Sequence, residues 1–206
     1  MINFNFHGKL KSIEVLDEKS YSVLTKQGEL HTEEWSAIIK EEFRFPIIRR
    51  IDSDLILIAE TRTKENVENA KIFNKEGEVV NSFYIGDAVR DIIVYDRKIV
   101  ASYYDEGVMV QSKYSKEGLA IFNKQGRLVW GFNSNSEYEL WDCYHIVKTD
   151  KNKVLFFGYG RLPVCELNID FLTVEDIGLP IDVFVHDVSC VDNKLFWKNT
   201  KNVFLF

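Results

Sequence analysis

Lys71-Ile72-Phe73-Asn74-Lys75-Glu76-Gly77-Glu78-Val79 decides the fold, because the chain repeats it. Ala120-Ile121-Phe122-Asn123-Lys124-Gln125-Gly126-Arg127-Leu128 resembles it, and so does Ser22-Val23-Leu24-Thr25-Lys26-Gln27-Gly28-Glu29-Leu30. The three glycines stand at 28, 77 and 126, two intervals of 49 residues. In each copy an apolar strand runs into a polar turn, the glycine supplies a positive φ, and a second apolar strand follows. That pattern predicts a β-hairpin. A fourth copy, Cys165-Glu166-Leu167-Asn168-Ile169-Asp170-Phe171-Leu172, has lost the glycine, and a fifth begins at Val203-Phe204-Leu205-Phe206.

Outward from the hairpins, two further strand-like runs fall between successive copies. They are 47–51 with 55–59, 91–95 with 98–103, 143–148 with 154–157, and 183–191 with 194–197. Four short strands in about 45 to 49 residues are the dimensions of a propeller blade. The expected fold is therefore all-β: a β-propeller of about five four-stranded blades, forming a single domain over 1–206. An open toroid would expose unpaired strand edges, so Ile2 to His7 is expected to close the last blade beside Val203 to Phe206. Helical spacing occurs only over 33–42 (Trp35, Ile38, Ile39), where strand plus loop fits equally well.

Composition agrees with strands. Aromatic residues make up 14% of the 206 positions, with fifteen Phe, nine Tyr and four Trp beside only three Pro and two Met. No apolar run approaches the roughly 20 residues of a membrane span. Met1 to His7 lacks the basic and then apolar character of a secretion signal. A cytoplasmic protein without membrane contact is expected. The net charge of −6 disfavours nucleic acid as the main partner. It suits solubility, and it also suits a basic partner. Cys143, Cys165 and Cys190 are odd in number and widely spaced, which predicts reduced, packed thiols.

Lys98-Ile99-Val100-Ala101-Ser102-Tyr103-Tyr104-Asp105-Glu106-Gly107-Val108, then Gly118 to Phe122, Trp130 and Trp141-Asp142-Cys143-Tyr144, resembles a group of bacterial β-propeller-like proteins with no assigned activity. Val154 to Tyr159 belongs to the same likeness, which covers roughly residues 45 to 170. It implies the propeller fold and names no reaction; the toxin-immunity type is the functional class attached to it. Trp141-Asp142 is not the recurring Trp-Asp repeat signature, because it occurs once.

Propeller geometry sends connections to two faces. The turns inside each hairpin are tight, whereas the connections over 61–69, 104–118, 133–140 and 160–163 are long. Long loops on a rigid scaffold are where binding concentrates. That face holds Glu65, Glu68, Asp87, Asp105, Glu106, Glu117, Glu137, Glu139 and Asp142, interleaved with Tyr104, Tyr114, Tyr138, Trp141 and Tyr159. Aromatic anchors ringed by carboxylates suit a protein interface; solvated loops with incidental acids are the plainer alternative. The candidate partner-binding residues are Tyr104, Asp105, Glu106, Trp141, Asp142, Tyr159 and Arg161.

Other chemistries find less support. Cys143, His145, His186 and Cys190 are residue types that satisfy tetrahedral zinc, but the close-pair signatures are missing and packed core positions are the expectation. There is no nucleophile elbow, phosphate-binding glycine loop or His-Glu-x-x-His. No catalytic residue, metal or cofactor is expected. The sequence points to a non-enzymatic protein-binding propeller, in its most concrete form an immunity or antitoxin protein that neutralises a basic toxin such as a secreted ribonuclease. The alternative is an enzyme or carbohydrate-binding propeller with its site at the channel mouth, using Asp105, Asp142 or Asp187 with aromatic platforms.

Overall fold

The computed structural model describes residues 8–96, 98–149, 152–159, 164–177, 187–191, 194–198 and 203–205. Their strands form five antiparallel sheets, each a simple meander in chain order. The first contains β1 (Leu10–Val15), β2 (Tyr21–Thr25), β3 (Glu29–Thr32) and β4 (Ser36–Ile38). The second contains β5 (Pro46–Arg50), β6 (Leu55–Glu60), β7 (Ala70–Asn74) and β8 (Val79–Phe83). The third contains β9 (Val89–Tyr95), β10 (Lys98–Tyr103), β11 (Leu119–Asn123) and β12 (Leu128–Gly131). The fourth contains β13 (Cys143–Lys148), β14 (Lys153–Gly158), β15 (Cys165–Asn168) and β16 (Thr173–Asp176). The fifth contains β17 (Asp187–Val191), β18 (Lys194–Lys198) and β19 (Val203–Leu205). The strand expected to close it, Ile2 to His7, lies outside the described residues.

Burial explains why the second strands read as unbroken apolar runs. Ile56 to Ala59 on β6, Ile99 to Ala101 on β10 and Val154 to Phe157 on β14 are buried on both faces, since each lies between two neighbouring sheets. The outer strands β8 and β16 are largely exposed. The apolar core is accordingly divided among the sheet-to-sheet seams. Leu24, Leu30, Ile48, Ile56 and Phe73 join the first two sheets. Leu57, Ile72, Ile92, Ile99 and Phe122 join the second and third. Val100, Phe132, Ile146 and Phe156 join the third and fourth, and Val147, Leu155 and Phe157 meet Val188 and Cys190 of the fifth. Residues from β1, β5, β9, β13 and β17 all line one central cavity of about 840 Å³. This is the propeller architecture.

The three glycine turns are real, but they are not equivalent. Gly28, Gly77 and Gly126 all have positive φ, at 81°, 79° and 78°. Gly77 and Gly126 join the third strand of a sheet to the fourth, whereas Gly28 joins β2 to β3 and so lies on the opposite rim. The even 49-residue spacing therefore does not mark blade boundaries, and the blades differ in length. The reason is local: a glycine turn needs only a permitted φ and a cap, and carries no information about its place in a sheet. Asn74 and Asn123 cap their turns identically, each Oδ1 accepting two backbone N–H groups two and four residues on. In the fourth copy Asn168 keeps the cap, accepting from the Asp170 and Phe171 amides, while Leu172 takes the left-handed position at φ 56°. The stretch 33–42 resolves as β4 followed by loop, not helix.

Candidate functional site

Strands alternate direction within each meander, so the connections over 39–45, 61–69, 84–88, 104–118 and 132–142 gather on one rim. Their shape begins with two β-bulges. The β9–β10 register pairs Asp91 with Ser102 and then Val89 with Tyr103, leaving Arg90 as the extra residue. The β13–β14 register pairs His145 with Phe157 and then Cys143 with Gly158, leaving Tyr144 in the same role one blade on. A bulge re-aims the side chain at the head of a strand, and here it brings the two residues together. Arg90 Nε donates to the Tyr144 carbonyl at 2.6 Å. Its guanidinium lies over the Tyr104 ring at 4.7 Å and near the Tyr144 ring at 5.5 Å.

The expected site residues assemble around this arginine. Tyr104 precedes α1 (Asp105–Met109), a short helix within the 104–118 connection. Tyr159 stands edge-to-face with Tyr144 at 6.0 Å, and its amide donates to the Asp142 carbonyl at 2.9 Å. Asp142 is half-buried, and its Oδ1 accepts no hydrogen bond from the described residues. Burial pushes its carboxyl above the usual range; Arg90 draws it back down, and Asp105 raises it further. Tyr104, Trp141 and Tyr159 are 38%, 45% and 52% exposed. Arg161 lies outside the described residues, as does His186, and the side chain of Asp187 is not among those described.

Several expectations about this rim need correction. Tyr114 is no exposed anchor; it packs against the core with its ring 5.2 Å from Phe122 and 5.5 Å from Tyr84. Glu117 is not a solvated acid, being only 3% exposed and held by the Ser134 amide at 2.9 Å and the Ser134 hydroxyl at 2.7 Å. Glu106 is already paired with Arg62, which also approaches Asp87 at 3.4 Å. Asp87 further accepts from the Thr63 amide at 2.7 Å. Asp105 accepts from the Glu106 amide at 2.7 Å, as expected of a loop carboxylate. Arg90 and Tyr144, the centre of the arrangement, were not among the expected site residues. Both owe their place to a bulge, which the pairing of neighbouring strands defines and the local sequence does not display.

Cys143 is fully buried in the seam between the third and fourth sheets, where burial raises its thiol pKa far above the ordinary value. Cys190 packs against the fourth sheet. Among the described residues no three His, Cys, Asp or Glu side chains are grouped to hold a metal. No helix among them is long and apolar enough to cross a membrane. The central cavity runs along the inner strands, lined by Glu14, Arg49, Asp91 and Lys148, and neither Asp105 nor Asp142 lines it.

No protein-family model and no curated protein matches the chain. Solved structures do. KlHsv2 with loop 6CD replaced by a Gly-Ser linker superposes with a TM-score of 0.64 at 12% identity, over 97% of this chain and 63% of that one. The chain thus spans less than two thirds of that protein. The Swd1 β-propeller domain of Myceliophteria thermophila gives a TM-score of 0.59 at 8% identity, over 98% of this chain and 71% of that one. The extracellular domain of BT3049 from B. thetaiotaomicron gives 0.55 at 15% identity, over 98% of this chain and 29% of that one. What this chain shares with them is the β-propeller fold.

Proposed function

We propose that this chain is a non-enzymatic, cytoplasmic protein-binding propeller whose long-loop rim docks a basic protein. One observation carries the reading: exposed aromatic and apolar side chains cluster on the rim within an acidic surround. Tyr104, Met109, Val110, Tyr138, Trp141 and Tyr159 are all exposed there. The connections over 39–45, 61–69, 84–88, 104–118 and 132–142 hold eleven carboxylates against six basic side chains. Rigid rings supply contact area at small entropic cost, and the surrounding charge steers a cationic partner into register. Arg90 fixes Tyr104 and Tyr144 before binding, so less ordering remains to be done on association.

The concrete form of this proposal is an immunity-type protein that covers a basic toxin, such as a ribonuclease, with the rim acids occupying the place of the toxin's anionic substrate. Glu106 and Asp142 contribute less to that field than their number suggests, because one is paired and the other half-buried. Asp105, Glu137 and Glu139 carry it. The test introduces a photo-crosslinking residue at Trp141, Tyr159 or, on the opposite rim, Lys75. A basic partner crosslinked from the first two positions and not the third supports the reading. Equal capture from all three, or capture unaffected by charge reversal at Asp105, Glu137 and Glu139, refutes it.

A further inference from the structure

Glu117 carries a consequence of its own. Its carboxylate is nearly sealed from solvent, yet no Lys, Arg or His among the described residues forms an ion pair with it. Ser134 satisfies one acceptor site on each oxygen and leaves the remaining lone pairs open. The backbone makes room for this placement: a Cβ on Gly131 would lie 2.3 Å from Glu117 Oε2 and 2.4 Å from its Cδ. A buried carboxylate without a counter-charge is costly. Glu117 nonetheless lines an open pocket of about 270 Å³ on the long-loop rim, where Val108, Gln111, Glu139 and the exposed Trp141 form the other walls. Lys116 also reaches the pocket edge, but it is exposed.

We propose that this pocket receives the guanidinium of an arginine side chain presented by the protein partner, a reading that rests on the docking function above. The chemistry of the walls selects that group. A planar cation stacks on the Trp141 indole, Glu139 meets it at the mouth, and Glu117 accepts its N–H groups at the floor. Val108 packs against the methylene stem. The arginine supplies the counter-charge that Glu117 lacks, so the pocket gives the otherwise broad aromatic surface a single register.

The test uses the whole chain and a defined probe, N-acetyl-arginine-N-methylamide, with the uncharged citrulline analogue as control. Two-dimensional NMR should show saturable shifts of the Trp141 indole and Ser134 amide signals with arginine, with a dissociation constant on the order of millimolar, and far weaker shifts with citrulline. Glu117→Gln should weaken arginine binding by about tenfold or more. Trp141→Ala removes only an exposed ring, so it tests the site even if the Glu117 variant folds poorly; it should also weaken binding severalfold. Equal response to citrulline, no saturable response, or full affinity in Trp141→Ala would overturn the proposal. Failure here with rim-specific crosslinking intact removes the pocket and leaves the docking face. Arginine binding without any rim-specific partner does the reverse.

Discussion

Arg90 organises the rim through three contacts that a shorter side chain would lose together. Replacing it with alanine removes the hydrogen bond to the Tyr144 carbonyl and the contacts with both tyrosine rings. The expected loss of stability is about 1–3 kcal/mol, read by urea denaturation. A second readout separates positioning from simple packing. Arg90 is the favourable charge beside Asp142, so its removal should raise the Asp142 pKa further, as followed by carbon-detected NMR titration. An unchanged Asp142 titration would show that the two are not electrostatically coupled. This residue was hard to find because bulge position, not residue type, gives it its role; an isolated Val89-Arg90-Asp91 reads as an ordinary strand start.

At the level of the element, the glycine turns divide into two energetic classes despite their matching sequences. A Cβ at Gly126 would lie 2.2 Å from Cγ of Phe83, a core residue of the preceding blade, and φ is 78°. A Cβ at Gly28 would meet only the Ile39 carbonyl, at 2.9 Å. Gly126→Ala should therefore cost roughly 2–4 kcal/mol, combining strain with overpacking, and Gly28→Ala distinctly less. Paired urea denaturation curves check the order; equal losses would mean that conformational strain alone sets the cost. The same contrast shows what was legible in the sequence. Strand number, hairpin turns and the long-loop asymmetry follow from alternation and turn chemistry, which are local. The register of 22–30 within its sheet, the burial of Tyr114 and Glu117, and the Arg62–Glu106 pair depend on which strands become neighbours. No local pattern encodes that.

Across the whole molecule, ionic ties join the first three blades, Glu14 and Glu33 of the first meeting Arg49 and Arg50 of the second and Arg49 meeting Asp91 of the third; the two glutamates respond to pH in opposite senses. Arg50 on β5 donates to Glu33 at 2.5 and 2.7 Å and to the Tyr21 carbonyl at 2.7 Å, locking the second blade to the first. That hydrogen bonding holds the Glu33 carboxyl at about 2, below its ordinary 4.5. Its contribution is therefore present above pH 4.5 and lost as pH falls towards 2. Glu14 on β1 accepts from the Arg50 amide at 2.6 Å, and burial, the largest influence on it, raises its carboxyl above 4.5. Its contribution is fullest below pH 4.5 and falls as pH rises. Glu33→Gln should cost about 1–2 kcal/mol at neutral pH and little near pH 2. Glu14→Gln should compare more favourably with the parent at pH 7 than at pH 4. Chemical denaturation across that range measures both, and parallel pH profiles would contradict the assignment. The inequivalent Gly28 turn has one more consequence, for anyone who would add or remove a blade. A cut placed by the glycine spacing severs a sheet between its strands. A cut after Phe45 and another after Ala88 instead lift out β5 to β8 intact, with both ends on the same rim. Modular engineering of this scaffold should follow the inner strands rather than the turns that first reveal the repeat.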